Sequence, residues 1–112
     1  MALAIEEVSV PTQSGASTIT TGPVFIGAPQ EYSVQVDFTG TLAGTIKLQC
    51  SNTGSNFQDI TGSSQTLIAG QQAFYSVLDA TYKYVRAVWT PSGGTGNITF
   101  TFVIKNPAAL NR

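Results

Sequence analysis

Residues 44–60 read GTIKLQCSNTGSNFQDI, and this stretch decides the fold. Ile46, Leu48 and Cys50 alternate with polar residues, which places the apolar side chains on one face of an extended strand and the polar ones on the other. Residues 51–56 are all small, polar, turn-forming residues, and apolar residues return after them. The stretch therefore predicts a half-buried strand, a tight turn and a second strand.

The same two-residue period recurs along the rest of the chain. It is cleanest in residues 31–38, where Tyr32, Val34 and Val36 alternate with polar residues. No segment shows a helical period. The further predicted strands, in chain order, lie within residues 18–21, 23–27, 65–68, 71–78, 83–90 and 97–105.

Strands that recur every ten to twelve residues predict an antiparallel sandwich or barrel. We therefore expect an all-β fold, an antiparallel β-sandwich of the jelly-roll type, as a single domain with extended N- and C-terminal arms. Residues 1–22 are expected to be an arm or an edge strand, residues 23–105 the sandwich, and residues 106–112 a tail. Pro11 is expected to end the first apolar segment.

Residues 91–96 contain one proline and three glycines and form the strongest turn signal in the chain. This turn lies between two strongly patterned segments, so the last two strands are predicted to form a hairpin. Residues 83–90 are apolar on both faces, which predicts a central strand.

Composition excludes several classes of function. The chain has 112 residues, of which only 10% are charged, and its five basic residues nearly cancel its six acidic ones. No excess of positive charge is present to attract nucleic acid or an anionic membrane. A surface made of Thr, Ser, Asn, Gln and Gly suits a protein that packs against other subunits or binds neutral polar ligands.

The single cysteine, Cys50, allows no disulfide within the chain, and its place on the apolar face of a strand predicts a buried, inert thiol. The first residues lack the basic start and apolar run of a signal peptide, and no apolar segment is long enough to span a bilayer. We expect synthesis in a cytoplasm.

The residues needed for common catalytic chemistry are missing. The chain has no histidine, so Ser/His/Asp and Cys/His nucleophile systems cannot form. Asn52, Asn56 and Asp59 offer the hard oxygen atoms that calcium prefers, but their spacing matches no calcium-binding loop. We predict no enzyme activity, no catalytic residue, no cofactor and no metal.

Three segments carry a resemblance to known proteins: residues 46–60, the run YKYVRAV at residues 82–88, and ITFTFVI at residues 98–104. Together they resemble small bacteriophage virion proteins that decorate capsids or sit on tails. The turn SNTGSNF followed by YKYVR is also similar to the second half of discoidin-type, galactose-binding-like jelly rolls. The resemblance implies a virion structural protein with a jelly-roll β-sandwich.

A carbohydrate-binding module for adhesion to a host surface is the alternative. Asn52, Asn56, Tyr82 and Trp89 are the candidate glycan contacts, with the aromatic rings as a stacking platform. Trp89 also shares a face with apolar residues of its strand, which favours a place in the core. Arg86 lies mid-strand among apolar residues and is expected to pair with a carboxylate, that of Asp59 or Asp79.

The leading hypothesis is a non-enzymatic virion component, a capsid decoration protein or a tail-associated subunit, that binds other capsid or tail proteins. We expect self-association, with a trimer favoured, through residues 1–16 and 106–112, because extended termini can add strands to a neighbouring sheet. The candidate assembly contacts are Leu3, Ile5, Val8, Val10, Pro107 and Leu110. No nucleic acid and no membrane partner is expected.

Overall fold

A computed structural model describes residues 5–26, 30–68 and 72–105. This part of the chain consists of strands and turns, with no helix that could cross a bilayer. The strands are β1 (Ile5–Ser14), β2 (Ile19–Thr20), β3 (Val24–Phe25), β4 (Gln30–Phe38), β5 (Ala43–Ser51), β6 (Gln58–Asp59), β7 (Gln65–Leu67), β8 (Ala73–Ala80), β9 (Tyr84–Gly93) and β10 (Asn97–Lys105).

The strands form two antiparallel sheets. The first sheet has the order β1-β10-β4-β8. In the second sheet β9 and β5 are the central pair; β2 and β3 pair along the free edge of β9, and β6 and β7 along that of β5. β2 and β3 together occupy one strand position of the second sheet, and β6 and β7 together occupy another. Counted in this way, the strands are distributed between the two sheets in the order of a jelly roll. The predicted all-β sandwich is confirmed.

The core lies between the sheets and follows the two-residue period. In β10 the buried positions alternate with half-buried or exposed ones, and Phe100 and Phe102 have no exposed surface. The opposite sheet contributes Leu48, Val85 and Trp89. Burying each such side chain contributes roughly 1.5–3 kcal/mol, so the alternation itself is the main source of stability.

The last two strands do not form a hairpin, so that prediction is wrong. β9 lies in the second sheet and β10 in the first, and residues 94–96 cross between them. The crossing residues run beside the β4–β5 connection, where Thr41 N donates to the Thr95 carbonyl oxygen at 2.7 Å. Gly94 has φ 80° and Gly96 φ 147°. A Cβ at either position would collide with the backbone of residues 39–42, so glycine is required at both.

β1 extends past Pro11, contrary to the prediction that the proline ends the segment. Its pairing with β10 shifts between Val10 and Gln13, and the strand continues to Ser14. Proline is tolerated here because β1 is the edge strand and the ladder is irregular at this point. Residues 1–22 were predicted to be either an arm or an edge strand. Residues 5–14 form an edge strand. Ile5 pairs with Lys105, so both ends of the described chain lie side by side.

Candidate functional site

Three of the predicted glycan residues lie together. Asn52, Asn56 and Tyr82 line a depression of about 240 Å³ at the turn that follows β5. Its other lining residues are Cys50, Ser51 and Gln58. All of these side chains are uncharged, so the depression offers hydrogen-bonding groups without a net charge.

The turn beneath this depression is fixed by its own hydroxyl groups. Ser51 Oγ accepts hydrogen bonds from the backbone N–H groups of Thr53 and Gly54, both at 3.0 Å. Thr53 Oγ1 accepts from the N–H of Asn56 at 3.2 Å. Gly54 has φ 82° and lies against the ring of Tyr84. These contacts hold Asn52 and Asn56 in place before any ligand arrives.

The second wall of the depression is tied to the turn through Asn52. Asn52 Oδ1 accepts from the backbone N–H of Lys83 at 3.1 Å, which leaves its amide N–H groups for a ligand. The Tyr82 and Tyr32 hydroxyl groups lie 2.6 Å apart, and their rings meet edge to face. Burial raises the pKa of both tyrosines, so both stay neutral.

Cys50 is half-buried rather than fully buried, and it lines the same depression. Burial raises the pKa of its thiol. The group is therefore held in the protonated, less nucleophilic form.

Trp89 cannot be a glycan contact in this structure, because its side chain has no exposed surface. Its indole Nε1 donates to the Gly15 carbonyl oxygen at 2.8 Å, and its ring packs on Phe38 with centroids 5.0 Å apart. The indole fills the core and ties the loop after β1 to the second sheet. The core interpretation of Trp89 is the one that the structure shows.

Arg86 has different partners from those expected. Its Nε donates to Gln49 Oε1 at 2.8 Å, and its guanidinium lies 4.0 Å from the centroid of the Phe57 ring. Asp59 instead forms an ion pair with Lys47 at 3.1 Å. The side chain of Asp79 lies outside the described residues. A cation–π contact with Phe57, which directly precedes β6, thus takes the place of the predicted ion pair with Asp59.

These contacts link neighbouring strands on the outer face of the second sheet. Gln49 Nε2 donates to Asp59 Oδ1 at 2.8 Å while Lys47 Nζ donates to Oδ2, so one carboxylate joins β5 to β6. The hydrogen bond from Gln49, and then that from Lys47, lowers the pKa of Asp59. Within the described part of the chain no cluster of three or more His, Cys, Asp or Glu residues could hold a metal ion.

The candidate assembly contacts fall into two groups. Val8 and Val10 are half-buried and pack against the core from β1, so they are not freely exposed docking side chains. Leu3, Pro107, Leu110 and the side chain of Ile5 lie outside the described residues.

A surface that the sequence reading missed lies on β8, at the opposite edge of the first sheet from β1. Phe74 and Leu78 are 58% and 74% exposed on its outer face, on either side of the exposed Ser76. We call these three residues the β8 patch. The patch borders a depression of about 260 Å³, which is also lined by Glu31, Tyr32, Ser33, Val77, Val103 and Lys105.

The sequence did contain a signal for this patch. Phe74 is followed by Tyr75, and Val77 is followed by Leu78. Neighbouring residues on a strand face opposite sides, so each pair sends one apolar side chain inward and one outward. Tyr75 is buried and donates its hydroxyl to the Ser63 carbonyl oxygen at 2.7 Å, which fixes the orientation of the strand.

No protein-family model and no curated protein sequence matches the chain. Solved structures do match it. The crystal structure of the SPBc2 prophage-derived protein YomS superimposes with a TM-score of 0.65 at 15% sequence identity, over 95% of this chain and 98% of that one. The likeness is one of fold.

Two further structures share the architecture less closely. One is of Bacillus endospore appendages, a family of disulfide-linked pili, with a TM-score of 0.52 and 18% identity over 94% of this chain and 91% of that one. The other is the crystal structure of PirA, with a TM-score of 0.51 and 14% identity over 88% and 92%. The same β-sandwich thus occurs in proteins of different kinds.

Proposed function

We propose that the protein is a non-enzymatic structural subunit of a phage particle, a capsid decoration protein or a tail-associated subunit, which acts through protein–protein contacts. The observation that carries the proposal is the β8 patch. Phe74 and Leu78 leave most of their apolar surface in solvent on an edge strand that, in the described chain, pairs only with β4. Exposed apolar edge strands promote association, and proteins that stay monomeric usually avoid them.

The other features agree with a packing role. The surface carries few charges, and the near-complete overlap with a prophage-derived protein supports a phage origin. Localisation in the virion follows from the proposal. The proposed contact surface is β8, whereas the sequence predicted contacts through the terminal segments.

The experiment measures incorporation into particles. A double variant, Phe74→Ser with Leu78→Ser, and a control, Phe25→Ser, are each produced during growth of the source phage, and their copies per purified particle are counted by quantitative mass spectrometry. Phe25 is 59% exposed on the second sheet, so the control removes a similar aromatic surface elsewhere.

Removing two apolar anchors from a contact weakens it by on the order of tenfold or more. We therefore expect the double variant to be depleted from particles by that factor and the control to be retained. All of these side chains are exposed, so both variants should fold. The proposal is wrong if the wild-type protein is absent from purified particles, or if the double variant is incorporated normally.

The depression at Asn52, Asn56 and Tyr82 favours a second candidate, a carbohydrate-binding module for host adhesion. Its uncharged amide and hydroxyl groups suit a neutral polyhydroxylated ligand, and its volume suits a single sugar ring. A glycan array with the wild type and Asn56→Ala tests it. Saturable binding that Asn56→Ala weakens without changing stability supports this function, and an array without binding argues against it. Trp89→Ala is not a suitable probe, because Trp89 is in the core.

A further inference from the structure

The two edge strands of the first sheet, β1 and β8, differ in how they are protected against pairing with another strand. β1 carries the exposed Glu7, the proline Pro11 and an irregular ladder, all of which hinder pairing with another strand. Residues 73–78 of β8 include no charged residue and no proline, and Asp79 follows them. The ladder between β8 and β4 is regular from Ala73 to Val77, and a bulge follows before Ala80. Within the described part of the chain no strand covers this edge of β8, so it is open to a further strand from residue 73 up to the bulge.

We infer that the β8 patch is an interface between two copies of this chain, in which their β8 strands pair antiparallel about a two-fold axis at Ser76. The inference rests on the proposed function, because it names the partner of the same surface. The pairing would join two four-stranded sheets into one of eight strands. It differs from the trimer that the sequence reading favoured.

The register follows from the sequence of the strand. An antiparallel pair centred on Ser76 places Phe74 of one copy opposite Leu78 of the second copy, and this happens twice by symmetry. Both side chains lie on the outer face, where each finds an apolar partner for its exposed surface. The inward-facing Tyr75 lies opposite Val77. A pair centred on Tyr75 instead would place Phe74 opposite Ser76 and leave Leu78 without an apolar partner.

Charge does not oppose this contact. Two charged residues line the depression beside the patch: Glu31 of β4 and, directly opposite it, Lys105 of β10. Their opposite charges offset each other. Among the described side chains of residues 73–78 no like charges would meet. Two copies can therefore approach with their β8 edges facing each other.

The contact between the two copies is small, and this determines which measurement can detect it. One short strand and four apolar side chains cover less surface than the roughly 1,600 Å² of a standard stable interface. The dimer of the free protein should therefore be weak and concentration-dependent. A covalent trap is a better probe than a dissociation constant.

The experiment is disulfide trapping in a Cys50→Ser background at millimolar protein concentration. Residues directly opposite each other in an antiparallel pair have Cα atoms about 4.5–5.5 Å apart, which suits a disulfide. Ser76→Cys should therefore cross-link to a dimer under mild oxidation. Ser9→Cys, an exposed serine on the opposite edge strand, is the matched control. We expect Ser76→Cys to give on the order of ten times the dimer fraction of the control, because the pairing holds its thiols in contact.

A mixed experiment tests the register. Phe74→Cys and Leu78→Cys should each cross-link poorly alone, because the equivalent residue of the second copy lies about 13 Å away along the strand. An equimolar mixture of the two should give the heterodimer. Retained far-UV circular dichroism shows that each variant is folded.

The inference is overturned if Ser76→Cys cross-links no more than Ser9→Cys, or if Phe74→Cys alone cross-links as well as the mixture. If Ser76→Cys fails while the variant with serine at positions 74 and 78 is still lost from particles, the patch binds a different protein. In that case the two-fold pairing is wrong and the proposed function stands. If the double variant is also incorporated normally, both are wrong.

Discussion

Replacing Trp89 by phenylalanine should destabilise the protein although it retains an aromatic ring at the centre of the core. The indole Nε1 of Trp89 donates to the Gly15 carbonyl oxygen at 2.8 Å, and both residues are buried. Phenylalanine cannot donate this hydrogen bond, and its smaller ring leaves a cavity beside Phe38. Two separate penalties therefore apply.

The magnitudes can be estimated separately. A buried carbonyl left without its donor costs about 1–3 kcal/mol. Complete removal of a buried tryptophan side chain costs about 3–5 kcal/mol, so loss of one of its two rings costs roughly 1–2 kcal/mol. The free energy of unfolding should therefore fall by about 2–5 kcal/mol, which lowers Tm by roughly 8–20 °C in a domain of this size.

Urea and thermal unfolding followed by far-UV circular dichroism measure this loss without relying on tryptophan fluorescence. Tyr84→Phe is the matched control, because it is a change to phenylalanine on the half-exposed outer face of the same strand. The control should change the free energy of unfolding by less than about 0.5 kcal/mol. If Trp89→Phe proved as mild as Tyr84→Phe, the hydrogen bond to Gly15 would not hold the loop as argued.

Three further changes are open to test by urea denaturation. Tyr75→Phe removes the buried hydroxyl that donates to Ser63 and should lower the free energy of unfolding by about 1–3 kcal/mol; an unchanged midpoint would contradict that role. Arg86→Met removes the cation over the Phe57 ring and should cost about 0.5–1 kcal/mol, a loss that high salt should not abolish. The hydrogen bonds to Asp59 lower its pKa, so its stabilising effect is complete above the ordinary value of 3.8 and is lost as the pH falls through the lowered one. The stability difference between wild type and Asp59→Asn should accordingly shrink as the pH falls below 3.8, and a constant difference would refute this.

Much of the strand content could be predicted because the apolar period is local. Residues 31–38 and 97–105 alternate cleanly, and the structure places β4 and β10 there. The pairing of β5 with β6 through a tight turn also followed from residues 44–60. In each case neighbouring residues alone determine which side chains face the core.

Sheet membership could not be predicted in the same way. The glycine-rich link before β10 is compatible with a hairpin or with a crossing between sheets. The choice depends on residues 39–42, more than fifty positions away, which pair with it. Such long-range contacts leave no local pattern in the sequence.

The candidate sites also divide into those that depend on local sequence, which could be predicted, and those that depend on long-range contacts, which could not. Asn52 and Asn56 share one turn and were predicted together, whereas the exposure of Phe74 and Leu78 depends on β8 being the last strand of its sheet. The partners of Arg86 likewise depend on which strands flank β9.

The adjacency of Ile5 and Lys105 has a practical consequence for engineering. A short peptide could link these positions, so circular permutation should be tolerated, with new ends opened in a surface turn. The link would lie at one margin of the first sheet: Ile5 is on β1, three strand spacings, about 14 Å, from β8, and Lys105 is on β10, two spacings, about 10 Å, from it. Permuted copies should therefore remain free to associate along β8.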